Sequence, residues 1–394
     1  MKSIINSQRF LRKGVDKMVK NFNHQKTIGV VGSSPDAQSF ILKANQLGFK
    51  TYHLCRTEEE MNLWFGADKQ FVGSFDEERI RDEFLMQSDL LVYFDYSLTS
   101  NQIEEASKSV VIPQGDDLLS IARDRVLQKA FKESLSLNIA PYETVVTKED
   151  IENGLRSIGY PAVLRTNFLD PYNEKQAYFI YGEEDIEKAS QLLKYGTCVL
   201  ESWIVTENEL SISMVKTASG AVRTFPVIKK TYKNDRLERI EGPADLPEDV
   251  VNEIERVAHL IAENIQFIGA ASIDLMVSPA QALYIGNIYP FPNVFSQYTE
   301  GSPLMSVVEA HLRAIASLPV PEDLKDGHHY IYVPFYQDQI SMVNDLLMIQ
   351  PDWKFTFYPK VKSELVEDNH AIGHIVIQTE DTEKTLRTLK ENNL

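Results

Sequence analysis

Two cysteines in 394 residues leave no disulfide framework to read. Cys55 and Cys198 stand far apart, in the apolar contexts TYHLC and TCVLE, which suits buried thiols better than a bridge or a metal site. Positive charge is also scarce: 40 Lys+Arg against 57 Asp+Glu give a net charge of −17. That balance opposes a polyanion, so nucleic acid and an anionic membrane are excluded as partners of the body of the protein. No apolar run approaches the ~18 residues that cross a bilayer, and the N-terminus lacks an apolar core followed by a small-residue cleavage site. A cytoplasmic protein is expected. Walker-type loops, G-x-S-x-G and C-x-x-C are absent too. His328 and His329 are adjacent, so on a strand they would face opposite sides and could not chelate one ion together.

What is present is an alternation of elements. TIGVVG, residues 27–32, is a β-type run ending in glycine. Ser34 then serves as helix N-cap and Pro35 as first helical residue, while Ala37, Phe40, Ile41, Ala44 and Leu47 line one apolar face that Gly48 closes. KTYHLC, DLLVYF and SVVIP continue as strands, which predicts a parallel sheet covered by helices: a Rossmann-like domain over 27–113. Past Pro113 a helical stretch, 116–137, leads into the short strands PYETVV, PAVLRT, QAYFIY and CVLESWI. A hairpin over 209–228 turning at Ser219 and Gly220, an amphipathic helix at 248–264 and a hairpin from ASIDLMV to ALYIGNI follow. Residues 114–318 therefore read as a mostly antiparallel α+β domain, and 319–394, entered through the linker-like SLPVPEDLKDGHH, as a small β-rich C-terminal domain. Residues 1–26 form a basic arm in which Leu11, Val15, Met18, Val19 and Phe22 fall at helical spacing, as for an amphipathic helix packing on the body or on a partner subunit.

One loop lacks what its position leads one to expect. RTNFLDPYNEKQ, residues 165–176, connects two strands as a phosphate-binding loop would, yet contains no glycine to let several N–H groups close on a phosphate. The frame that explains it is a resemblance. TIGVVG, IPQGDDLLSIARDRVLQKAF, IGYPAVLRT, TFPV, FIGAASIDLMV, YIGNIYPFPN, SQYTEGSPLMSVVEAHLRAIASLPVP, PDWKFTFYPK and IGHIVI resemble, in order and spacing, the 5-(carboxyamino)imidazole ribonucleotide synthetase family of the ATP-grasp superfamily. The likeness runs from about residue 27 to the C-terminus. It implies an ATP-grasp architecture, with a Rossmann-like N-terminal domain, a central ATP-grasp domain and a small C-terminal β-rich domain, in a homodimer. It implies an enzyme that phosphorylates bicarbonate with ATP and transfers the carboxyl to 5-aminoimidazole ribonucleotide.

The resemblance assigns roles residue by residue. Glu201 and Ile204 match the hinge whose backbone reads adenine, Glu209 the acid that holds the ribose hydroxyls, and Lys129 a phosphate-contacting lysine, while Arg165 stands where the family has a second lysine. The family's K-T-R-x-G-G-Y-D-G-K-G-Q has lost every glycine, to Leu169, Asp170, Asn173 and Lys175, and Pro171 removes an N–H donor. Asp274 replaces one magnesium-binding glutamate, and Asn287 the other, with an amide that contributes no charge. At the acceptor end G-G-G-Q-L-G has become GSSPDA, E-N-x-H has become the stretch of Lys229, Lys230 and Tyr232, and the arginine and histidine of R-P-H-N-S-G are Phe291 and Asn293. Lys360 keeps a phosphate-site lysine. Retained elements and altered chemical positions point to a nucleotide-binding, non-catalytic homologue that binds ATP with weak or absent magnesium. The alternatives are a ligase acting on another anionic acceptor, with Lys229, Lys230 and Lys233 rebuilding its pocket, and a weak form of the family activity.

Overall fold

The computed structural model describes residues 26–58, 66–169, 177–233, 236–303, 305–325, 327–358, 371–392 and 394. Strands β1 (Thr27–Val31), β2 (Lys50–Cys55), β3 (Lys69–Val72) and β4 (Leu90–Tyr93) make a parallel sheet in the order β3-β2-β1-β4. Strand β3 is too short and too polar at its start to stand out in the sequence, and the stretch SVVIP contributes only a bridge between Leu90 and Val111. Helix α1 (Pro35–Gln46) begins as its sequence predicts, with the Ser34 hydroxyl accepting from the Ala37 N–H at 3.1 Å and proline in the first turn. Its buried face holds Ala37, Phe40, Ile41 and Ala44 together with Asp36, whereas Leu47 caps the helix and is exposed. Helices α2 (Glu78–Met86) and α3 (Ser100–Ala106) also belong to this part.

Helices α4 (Asp117–Arg123) and α5 (Arg125–Ser134) lead to an antiparallel four-stranded sheet, β5 (Tyr142–Val145), β6 (Ala162–Thr166), β7 (Ala177–Ile180) and β8 (Cys198–Ser202), ordered β5-β8-β6-β7. Helices α6 (Lys148–Ile158) and α7 (Ile186–Ala189) cover it.

The third sheet has nine strands. The predicted hairpin is β9 (Asn208–Lys216) with β10 (Val222–Thr224); β11 (Ile228–Lys233) and β12 (Arg236–Gly242) follow, then helix α8 (Glu248–Asn264) and the hairpin β13 (Gly269–Val277) with β14 (Leu283–Tyr289). Gly269 is required where it stands: its φ is +123°, and a Cβ would come within 2.6 Å of His311 Nδ1 on helix α9 (Val307–Ile315). Beyond α9, β15 (His329–Phe335), β16 (Lys354–Phe357) and β17 (Gly373–Thr379), with α10 (Ile340–Ile349) and α11 (Thr382–Glu391), bring the sheet to the order β14-β13-β9-β11-β12-β15-β17-β16. The C-terminal strands thus continue the central sheet through β12 and β15, where Ile240 faces Tyr332. Cys55 and Cys198 are buried free thiols, as their contexts predict. The N-terminal arm, Lys360 and the loop positions Asp170 to Lys175 lie outside the described residues.

Candidate functional site

Helix α5 inverts the usual pattern. Its buried residues are Gln128, Lys129 and Lys132, while Leu127 is 45% exposed. Arg125, Gln128, Lys129 and Lys132 recur at helical spacing, so one face presents a polar stripe to the interior. That face joins the two antiparallel sheets. Gln128 receives the Ile288 N–H at 3.3 Å, and the Lys132 ammonium donates to the Gly286 carbonyl at 2.9 Å, both on β14. At the helix start, Arg125 Nε donates to the Thr166 carbonyl at 3.1 Å, the Val126 N–H to Asn167 Oδ1 at 2.9 Å, and the Leu169 N–H to the Arg123 carbonyl at 2.9 Å. The start of the glycine-free loop is therefore tied to α5.

The stripe surrounds Glu201 of β8. Lys129 Nζ lies 3.5 Å from Glu201 Oε1 and 4.8 Å over the Tyr142 ring. Burial alone would push the Glu201 carboxyl up, but Lys129, Arg165, Arg125 and Lys132 outweigh it and hold it below the usual carboxylate range. The reverse holds for the cations. Burial, helped by Arg165, brings Arg125 down to about 10, and burial, with Lys129 beside it, brings Lys132 down to about 7. Among the described residues, four basic side chains thus surround the Glu201 carboxylate. The structure brings together Lys129, Arg165 and Glu201, as the sequence reading expects, and adds Arg125 and Lys132, which that reading passed over. Their signal was legible as a polar repeat at helical spacing in RVLQKAFKES. Ile204 is half-buried in the strap between β8 and β9, just beyond Ser202 and Trp203, whose N–H groups are taken by the Pro141 and Pro161 carbonyls.

Glu209, Asp274 and Asn287 occupy the neighbouring part of the large sheet. Burial pushes the Glu209 carboxyl up, Lys230 opposing and Asp274 adding to the effect. Asp274 has both oxygens engaged: Lys230 Nζ reaches Oδ1 at 2.7 Å, and the Tyr289 hydroxyl donates to Oδ2 at 2.8 Å. Asn287 Nδ2 touches the same Tyr289 hydroxyl at 3.5 Å. Of the lysines expected to rebuild an acceptor pocket, Lys230 is thereby neutralised, and Lys233 lies 3.8 Å from Glu238.

The acceptor-side substitutions are packed rather than open. Phe291 is buried between Tyr93, Phe94 and Tyr96, with ring centroids 6.3, 6.5 and 5.1 Å away. Asp36, from GSSPDA, accepts from Ser296 Oγ at 3.2 Å and Gln297 Nε2 at 2.6 Å, and burial raises it to about 6.

The three sheets have the arrangement of the ATP-grasp fold, and residues 130–296 match the ATP-grasp domain family. The proteins the chain is similar to are N5-carboxyaminoimidazole ribonucleotide synthases. It is 24% identical over 364 residues to that synthase of Bacillus subtilis (strain 168), covering 92% of this chain and 94% of the relative. A crystal structure of an ADP complex of N5-carboxyaminoimidazole ribonucleotide synthetase superposes with a TM-score of 0.85 at 24% identity, covering 93% of this chain and 96% of that one. The Aspergillus clavatus N5-carboxyaminoimidazole synthase in complex with ADP and 5-aminoimidazole ribonucleotide gives a TM-score of 0.82 at 18% identity, over 94% and 98%.

Proposed function

We propose that this chain is an adenine-nucleotide-binding homologue of the carboxyaminoimidazole ribonucleotide synthases that does not carry out the carboxylation. The observation that carries the binding is the basic cluster at α5: Arg125, Lys129, Lys132 and Arg165 gather around Glu201, which among the described residues is the carboxylate they share. Buried cations without matching carboxylates are costly, and a polyphosphate placed among them recovers that cost. Support for the non-catalytic half comes from the acceptor side. Phosphate recognition needs cations, yet Phe291 fills its position with an aromatic cluster, and Asp36 brings a carboxyl into the same region.

Calorimetric titration of ADP into the purified protein tests the first half, and ADP release in the presence of ATP, bicarbonate and 5-aminoimidazole ribonucleotide tests the second. Saturable ADP binding without acceptor-stimulated ADP release is the expected result. Absence of ADP binding overturns the nucleotide assignment, and acceptor-stimulated turnover overturns the non-catalytic one.

A further inference from the structure

The ATP-grasp fold implies a divalent cation beside the nucleotide phosphates, and the residues of this chain do not suit one. Magnesium requires oxygen donors with charge to spare. Both oxygens of Asp274 are engaged, Asn287 offers a neutral amide, and no group of three or more His, Cys, Asp or Glu suited to a metal exists among the described residues.

The partner of Asp274 is placed by strand register. On β9, Glu209 and Ser211 are two residues apart and share a face. Lys230 of β11 lies opposite Glu209, and Asp274 of β13 lies opposite Ser211, so lysine and aspartate meet diagonally across β9. The pair is interior: Lys230 is 6% exposed, and its ammonium lies 4.4 Å over the Phe295 ring. One ammonium and one carboxylate cancel. A magnesium ion added there would set three positive charges against at most two negative ones, Asp274 and the neighbouring Glu209, or would have to expel the ammonium from the carboxylate it contacts at 2.7 Å and strand a buried charge.

We propose that Lys230 is a resident cation at Asp274, taking the place a divalent ion would need, so that this chain holds its nucleotide without metal. The proposal rests on the nucleotide-binding reading above for its ligand, but the ion pair makes its own claim about metal.

Two measurements on the full chain separate the two claims. ADP is titrated calorimetrically with EDTA and with millimolar magnesium, and manganese binding is followed by electron paramagnetic resonance with and without ADP. Wild type is expected to bind ADP within about twofold equally in both conditions and to leave the manganese signal free, whereas Lys230→Asn gains manganese binding and a tenfold or so magnesium dependence. Should Lys230→Asn fail to fold, Asp274→Asn serves: it leaves the ammonium free for phosphate, so ADP binding persists and stays indifferent to magnesium. Strengthening of wild-type ADP binding by magnesium of about tenfold, or manganese held by wild type, overturns the proposal, as does loss of ADP binding in Asp274→Asn. If ADP binds in neither condition, the nucleotide reading fails by itself. The nucleotide-free manganese titration then decides: binding by Lys230→Asn alone supports the resident cation, and binding by both proteins or by neither overturns it.

Discussion

Asp36 shows how one side chain can carry a pH dependence. Burial raises its carboxyl to about 6, the hydrogen bonds from Gln297 and Ser296 offset part of that, and Glu300 adds to it. The folded value lies above the unfolded value of 3.8, so the folded state binds more protons between the two. The contribution of this group to stability is therefore greatest below about 4 and is lost as pH rises through about 6, a swing of about 3 kcal/mol at most by proton linkage. Asparagine keeps an oxygen for Ser296 and Gln297 and carries no charge. Asp36→Asn should exceed wild type in urea-unfolding free energy by about 1–3 kcal/mol at pH 8 and match it near pH 4. Equal stabilities at both values would mean that the carboxyl ionises in the fold without penalty.

At the scale of an element, helix α5 carries the candidate site, and its behaviour follows from having its basic stripe inside. Lys132, at about 7 because of burial and Lys129, is only partly protonated above neutral pH. A phosphate brought against the stripe stabilises the ammonium form, so ADP binding at pH 8 should take up a fraction of a proton, read from calorimetry in buffers of different ionisation enthalpy. Lys132→Met should abolish that uptake, and an uptake unchanged by the substitution would assign it elsewhere. The neighbouring Lys129→Met removes the cation nearest Glu201 and should weaken ADP about tenfold or more, a loss of at least ~1.4 kcal/mol. Unaltered affinity would remove α5 from the site. Much of this helix was legible, since polar residues at positions 125, 128, 129 and 132 share one face in any α-helix. That the face is interior was not legible, because it depends on two sheets closing on it from segments far along the chain.

At the scale of the molecule, local chemistry and long-range register divide what the sequence could tell. The Ser34 and Pro35 start of α1, the turn at Gly220 and the hairpin around Ser278 depend on a few adjacent residues and stand as expected. The Lys230–Asp274 pair spans 44 residues and exists only because β11 and β13 flank β9 in one particular register, which no local pattern specifies. The same holds for the C-terminal strands. Residues 319–394 read as a small domain in sequence; in the fold β15 pairs with β12, and Tyr330, Tyr332 and Val376 form one apolar cluster with Ile228, Ile240 and Tyr298. Removing residues 329–394 would leave β12 as an unpaired edge and strip cover from Ile240 and Tyr298, and exposed edges of that kind pair with other chains. The shortened protein should elute as larger species in size-exclusion chromatography, or melt ~5 °C or more below the full chain. A monomer melting at the unaltered temperature would show that β12 and its apolar face do not depend on β15, and that the C-terminal strands fold as a unit of their own.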